Sequence, residues 1–135
     1  MMDLYREVIL DHYQNPHHAG HLDHPDASYS DANTVCGDEI TMELKVGPDG
    51  RITDVGFEGS GCAISQASAS LLTDQIIGMH IDDVLKLGRQ DVLDNLGGIE
   101  LTPVRLKCAL LGLGVLKACI YTYKGEKPRR DEDDE

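Results

Sequence analysis

Residues 33–40 read NTVCGDEI and set a thiol, Cys36, and a carboxylate, Asp38, on either side of Gly37. A disulfide has no use for the aspartate, and an apolar core cysteine is not helped by it. The chain has four cysteines, Cys36, Cys62, Cys108 and Cys119, with no CxxC pair among them, so they do not follow a zinc-finger pattern. Three of them stand where regular elements should begin. Cys36 precedes an alternating apolar stretch in a glycine-marked loop. Cys62 follows EGSG and opens a helical pattern, where backbone amides and the helix dipole favour the thiolate, the metal-binding form. Cys108 lies early in the last helical pattern beside Lys107, whose charge favours the thiolate as well. A hairpin between the first two places can bring Cys36 and Cys62 to one end of a sheet.

Asp38 reads in two ways. It is a strand-entry carboxylate, or a fourth ligand that is harder and weaker than a thiolate, suited to a site that must release what it holds. Cys119 shares a helix face with Cys108 but lies eleven residues on, roughly 16 Å along the axis, so the two cannot hold one ion. Cys119 is expected to be a buried structural thiol. A rival donor set is NPHHAGHLDH, with His17, His18, His21 and His24. His17 and His21 are four apart, a zinc-binding spacing on a helix, but Pro16 and Gly20 argue against a helix there, and a flexible His-rich loop is the expectation.

The frame around these residues is that of one soluble domain. The chain has 135 residues, 41% of them hydrophobic and 27% charged, enough to bury a core without disulfide staples. With no tryptophan and one phenylalanine, Phe57, that core must be aliphatic. The formal net charge of −12 and pI of about 4.7 disfavour nucleic acid and suit a basic protein partner or plain solubility. The N-terminal stretch is no signal peptide, and the longest apolar run, 108–120, is interrupted by Lys117 and too short to span a bilayer. A cytoplasmic location and no membrane partner are expected, with thiols rather than disulfides.

Leu4, Tyr5, Val8, Ile9 and His12/Tyr13 have helical spacing, ended by Asn15-Pro16. Residues 15–38 read as a long loop with a short strand near Tyr29. EITMELKV alternates, with Ile40, Met42, Leu44 and Val46 on one face; GPDG turns; RITDVGFEG returns with Val55 and Phe57 inward and Ile52 out of phase, the mark of a bulge. Residues 62–78 read as a helix with an inner stripe of Ile64, Ala67, Leu71 and Gln75/Ile76, stopped by Gly78. Two short glycine-closed helices follow. Thr102-Pro103 then starts a helix that runs to about Tyr123 and is apolar almost all round. This order predicts an α+β fold: a small antiparallel sheet of about three strands packed against several helices, in a single domain over 1–124, with 125–135 an acidic solvated tail.

LYREVILDHYQNP, TVCGDEI, FEGSGCAISQASASLLTD and RLKCALLGLGVLKA together resemble the IscU, NifU N-terminal and SufU family of iron–sulfur assembly proteins, over roughly residues 3–124. The resemblance implies that Cys36, Cys62 and Cys108 accept sulfur from a PLP-dependent cysteine desulfurase and, with iron, build a labile [2Fe–2S] cluster for apo iron–sulfur proteins. It implies that Asp38 ligates or tunes that site, and that in a zinc-binding branch Cys36, Asp38, Cys62 and Cys108 hold zinc instead. Gly37 would let the chain turn tightly about the ion. Lys107 stands where the IscU branch has histidine, as in SufU, and is read as modulating the site or as a surface lysine. The insertion that SufU carries before its third cysteine is missing, and LTPVR at 101–105 is similar to the chaperone-recognition motif of IscU. A scaffold, a zinc-bound sulfur acceptor that activates a desulfurase, and a zinc-stabilised interaction module are the three functions in play, none of them catalytic in the strict sense. Homo-oligomers would shield a cluster held near the surface.

Overall fold

The computed structural model describes residues 2–33 and 37–125. Helix α1 spans Met2–Gln14, strands β1, β2 and β3 span Ala27–Asn33, Asp38–Val46 and Ile52–Ser60, and helices α2 to α5 span Ala63–Ile76, Ile81–Val84, Arg89–Asn95 and Pro103–Tyr123. The sheet is antiparallel in the order β1-β2-β3. The predicted α+β architecture is therefore observed, with the helices α2 and α5 laid against one face of the sheet.

The alternation in β2 sets that face. Ile40, Met42 and Leu44 are at most 1% exposed, while Glu39 on the other face is open to solvent. Asp38 has the same parity as these three, so the strand carries its carboxylate inward as well. The out-of-phase Ile52 is explained by a bulge. Lys45 pairs with Asp54 but Val46 pairs with Ile52, which leaves Thr53 without a partner and lets both Ile52 and Val55 point inward.

Two expectations need correction. The α2 stripe is wider than expected: Ala67 and Ile76 are fully buried as predicted, but Ile64 and Leu71 are only half-buried, while Leu72 is fully buried together with Ser65, Ser68, Ser70 and Thr73. The helix is covered by α1, α4, α5 and β3 at once, so small polar side chains are enclosed too. Their hydroxyls are satisfied internally, as where Ser68 Oγ donates to the Ala109 carbonyl at 2.7 Å. The segment after α1 is likewise no free loop. The Gly20 N–H donates to the Phe57 carbonyl and the Phe57 N–H donates to the His18 carbonyl, each at 2.9 Å, so this segment covers the outer edge of β3.

Helix α5 begins as its sequence demands, with Thr102 Oγ1 accepting the Arg105 N–H and Pro103 in the first turn. Gly112 lets it approach α2, because a Cβ there would sit 3.3 Å from Ala69. Among the described residues no helix is long and apolar enough to cross a membrane.

Candidate metal centre

The hairpin β2–β3 pairs Glu39 with Ser60, so Asp38 at the start of β2 lies opposite the end of β3 and the start of α2. Its carboxylate is fully buried there. Oδ1 accepts the backbone N–H of Cys62 at 2.7 Å, and the Cys62 thiol donates to Oδ2 at 3.7 Å. The carboxylate thus sits at the positive end of α2. Cys62 is the N-cap residue, yet its side chain caps nothing; its sulfur is turned toward Asp38 instead. Cys108, fully buried in the second turn of α5, supplies the third donor. One donor atom each from Asp38, Cys62 and Cys108 fall within 4.8 Å of one another. Cys108 is disulfide-bonded here, against the expectation of thiols alone, so it becomes a donor only on reduction. Two soft thiolates and one hard carboxylate at that spacing can then hold a borderline or soft cation.

Gly61 makes this possible and was not singled out from the sequence. Its φ is +137°, and a Cβ there would overlap the Asp38 carboxylate. The signal was present in EGSGC, where a glycine directly precedes the thiol. Cys36 lies outside the described residues. Gly37 has φ +72° and its N–H donates to the Asn33 carbonyl at 2.9 Å, a turn that glycine adopts without strain. Lys107 is exposed on α5, in contrast to the enclosed Asp38. A groove of about 400 Å³, lined among others by Tyr13, Pro16, Phe57, Ser60 and Gln66, ends at Gly61 and so reaches the edge of the centre.

Cys119 takes no part. It is fully buried, its thiol donates to the Met42 carbonyl at 3.7 Å, and burial, with a smaller contribution from the Glu43 charge, pushes its pKa up to about 12. Because the folded value is raised, the stability it contributes is whole below the unfolded value of 9.0 and is lost as pH rises from there through about 12. Iodoacetamide at pH 8 should therefore label half-buried Cys62 in the native protein and reach Cys119 only on unfolding, as read by mass spectrometry of the modified peptides.

The histidines are sorted differently from their spacing. His21 reaches Glu43 and Glu58, and its pKa is raised, first by the hydrogen bond to Glu43 and then by the Glu58 charge. His17 goes instead to Asp74, with Nδ1 at 2.6 Å from Oδ2. His12, buried at the end of α1, lies beside His17, and desolvation and then that neighbour hold its pKa below the usual histidine value.

The NifU-like N-terminal domain model matches residues 4–130. The chain belongs to that family. It is 34% identical over 130 residues to the iron–sulfur cluster assembly enzyme IscU of Drosophila melanogaster, covering 94% of this chain and 82% of the fly protein. It is 32% identical over 126 residues to the iron–sulfur cluster assembly scaffold protein IscU of Escherichia coli, covering 91% and 96% respectively. Among solved structures, a candidate SUF-system iron–sulfur assembly scaffold from Fervidobacterium islandicum superposes with a TM-score of 0.71 at 26% identity, covering 84% of this chain and 94% of that one. The sequence resemblance to the IscU, NifU and SufU group therefore stands. In this NifU-like domain the buried carboxylate and two cysteine sulfurs come from three separate elements, β2, the α2 cap and α5.

Proposed function

We propose that this protein is an iron–sulfur cluster assembly scaffold, which accepts sulfur from a cysteine desulfurase, joins it to iron as a labile [2Fe–2S] cluster, and passes the cluster to apo-proteins. The observation that carries the reading is the convergence of Asp38, Cys62 and Cys108, and the named roles of the fly and bacterial relatives support it. Cys36 is the remaining donor in the proposal. It stands two residues from Asp38, so its Cα lies within about 7 Å of the Asp38 Cα by covalent reach alone.

In this reading a thiolate of the set attacks the terminal sulfur of the desulfurase persulfide. The sulfur–sulfur bond breaks, its electron pair leaves on the donor cysteine, and the persulfide now sits on the scaffold. An external electron donor then reduces that sulfur to sulfide as iron arrives. Cys62 is the best placed to start, being half-buried beside the groove that ends at Gly61. Asp38 beside it accepts the thiol proton and later competes weakly for iron, so the cluster is held loosely. Gly37 and Lys107 act on the site without being donors in it. The chaperone-like segment 101–105 is exposed at Thr102 to Arg105 and is available to a partner. A second reading, a zinc-bound sulfur acceptor that stimulates a desulfurase, is compatible with the structural likeness to a SUF-system scaffold.

The test is to purify the protein without air and measure iron, zinc, acid-labile sulfide and the visible spectrum together. Equal iron and sulfide with a [2Fe–2S] spectrum is the expected result. One zinc per chain, no sulfide, and no cluster after reconstitution with a desulfurase and iron would overturn the scaffold reading in favour of the acceptor.

A further inference from the structure

We propose that His12, His17 and Asp74 form a second, thiol-free metal site that takes a divalent first-row cation of zinc's class. The three residues come from different parts of the fold: the last turn of α1, the segment that follows it, and the last turn of α2. One donor atom from each lies within 4.8 Å of the others. The two imidazole rings are 4.3 Å apart between centroids and tilted by 43°. An ordinary ion pair would account for His17 and Asp74 alone. It would not account for a second imidazole buried against the first, an arrangement that is unfavourable if both rings carry a proton and natural if both face one cation.

Each donor is also held in place. Ser70 Oγ lies 2.7 Å from His12 Nδ1 and accepts the His17 backbone N–H at 2.8 Å. With the His12 proton on Nδ1, shared with Ser70, Nε2 keeps a lone pair for a metal. Asp74 presents Oδ2 to His17, while its Oδ1 lies 3.4 Å from His18 Nδ1. His18 Nδ1 is in turn 3.0 Å from Thr73 Oγ1. A carboxylate fixed by a neighbouring histidine and an imidazole fixed by a hydroxyl are the supports that metal ligands need.

The donor chemistry narrows the occupant. Two imidazoles and one carboxylate suit zinc, cobalt, nickel or ferrous iron, and suit magnesium or calcium poorly. His17 and Asp74 are both exposed, so the outward position is open to water or to a fourth ligand. The site is separate from the thiol centre. Asp74 lies twelve residues along α2 from Cys62, about 18 Å by helical rise, and no donor is shared. Asn15-Pro16 ends α1 and turns the chain so that His17 falls back over Ser70, which is why the effective pair is His12 with His17 and not His17 with His21.

The experiment is a Co²⁺ titration of the reduced, metal-free full chain, followed by absorbance. Thiolate-bound cobalt shows sulfur-to-metal charge transfer in the near ultraviolet; cobalt on nitrogen and oxygen shows only weak visible bands. The expected result is a second equivalent without charge transfer. His17→Ala or Asp74→Asn, both at exposed positions, should weaken that equivalent about tenfold or more, and His21→Ala should leave it unchanged. Cys62→Ser should lower the charge transfer, leaving that of the remaining thiolates, without touching the second equivalent, so failure of the scaffold reading and failure of this one are told apart. The absence of a thiol-free equivalent, or its survival in both His17→Ala and Asp74→Asn, would overturn the proposal.

Discussion

Asp38→Ala is expected to lengthen the life of a reconstituted [2Fe–2S] cluster and to slow its transfer to an apo-ferredoxin about tenfold, an effect of about 1.4 kcal/mol on the transfer barrier. The reason lies in the balance of the donor set. Thiolates bind iron softly and tightly, and a carboxylate is the ligand most easily displaced. Asp38 is also a base in contact with Cys62, 3.7 Å from its sulfur in a fully buried position. When the cluster leaves, the thiolates must regain protons, and in an enclosed site the Asp38 carboxyl is the group able to pass one. Its loss removes both the exchangeable ligand and the relay.

The same change also deletes the acceptor of the Cys62 N–H, which should cost about 1–3 kcal/mol of stability in the metal-free protein. Asp38→Asn separates the two effects. The amide oxygen still accepts that N–H and the volume is kept, so stability should stay near the parent value while transfer slows as in Asp38→Ala. Cluster absorbance over time and the rate of acceptor loading are the measurements. Transfer as fast as in the parent protein in both variants would remove Asp38 from the mechanism.

Much of the fold was legible because it rests on periodicity. The two-residue alternation of Ile40, Met42 and Leu44 specified a strand with one buried face, and the misplaced Ile52 announced the bulge that the pairing of Lys45 and Val46 displays. The same alternation extends back to Asp38, and reading it one step further would have placed the carboxylate indoors. The inner face of α2 was read too narrowly, with Ala67 and Ile76 right and Ile64 and Leu71 wrong, because a helix covered on several sides has no single apolar stripe. Ser65, Ser70 and Thr73 are enclosed there by tertiary neighbours that no local window reveals. Cys62 and Cys108 were found by context, since Cys62 opens a helix and Cys108 lies early in one. The His12, His17 and Asp74 cluster was not, because Asp74 is 57 residues from His17 in sequence and only the packing of α1 on α2 joins them. Donor sets assembled across elements leave no spacing to read.

Gly61→Ala should be a strongly damaging conservative change at the centre. The glycine's φ of +137° lies where residues with a side chain are strained, at a cost of order 1–3 kcal/mol. Its Cβ would also overlap Asp38, so the carboxylate must move away from Cys62, freeing a buried N–H and dispersing the donors. The two terms together should lower stability by a few kcal/mol and metal affinity by about 10- to 100-fold. Gly88→Ala is the comparison: it is the N-cap of α4, at φ −135° with nothing within 4 Å of the new Cβ, and should lose only the cap preference, about 0.5–1 kcal/mol. Urea denaturation of the metal-free proteins and competition for zinc against a chelator would measure both quantities. The decisive comparison is the double variant Asp38→Ala/Gly61→Ala. With the carboxylate gone its own overlap disappears, leaving backbone strain and the 2.8 Å approach to the residue 38 Cα, so the combined loss should be smaller than the sum of the two single losses. Strict additivity would mean that Gly61 and Asp38 do not meet, and that the glycine shapes the turn alone.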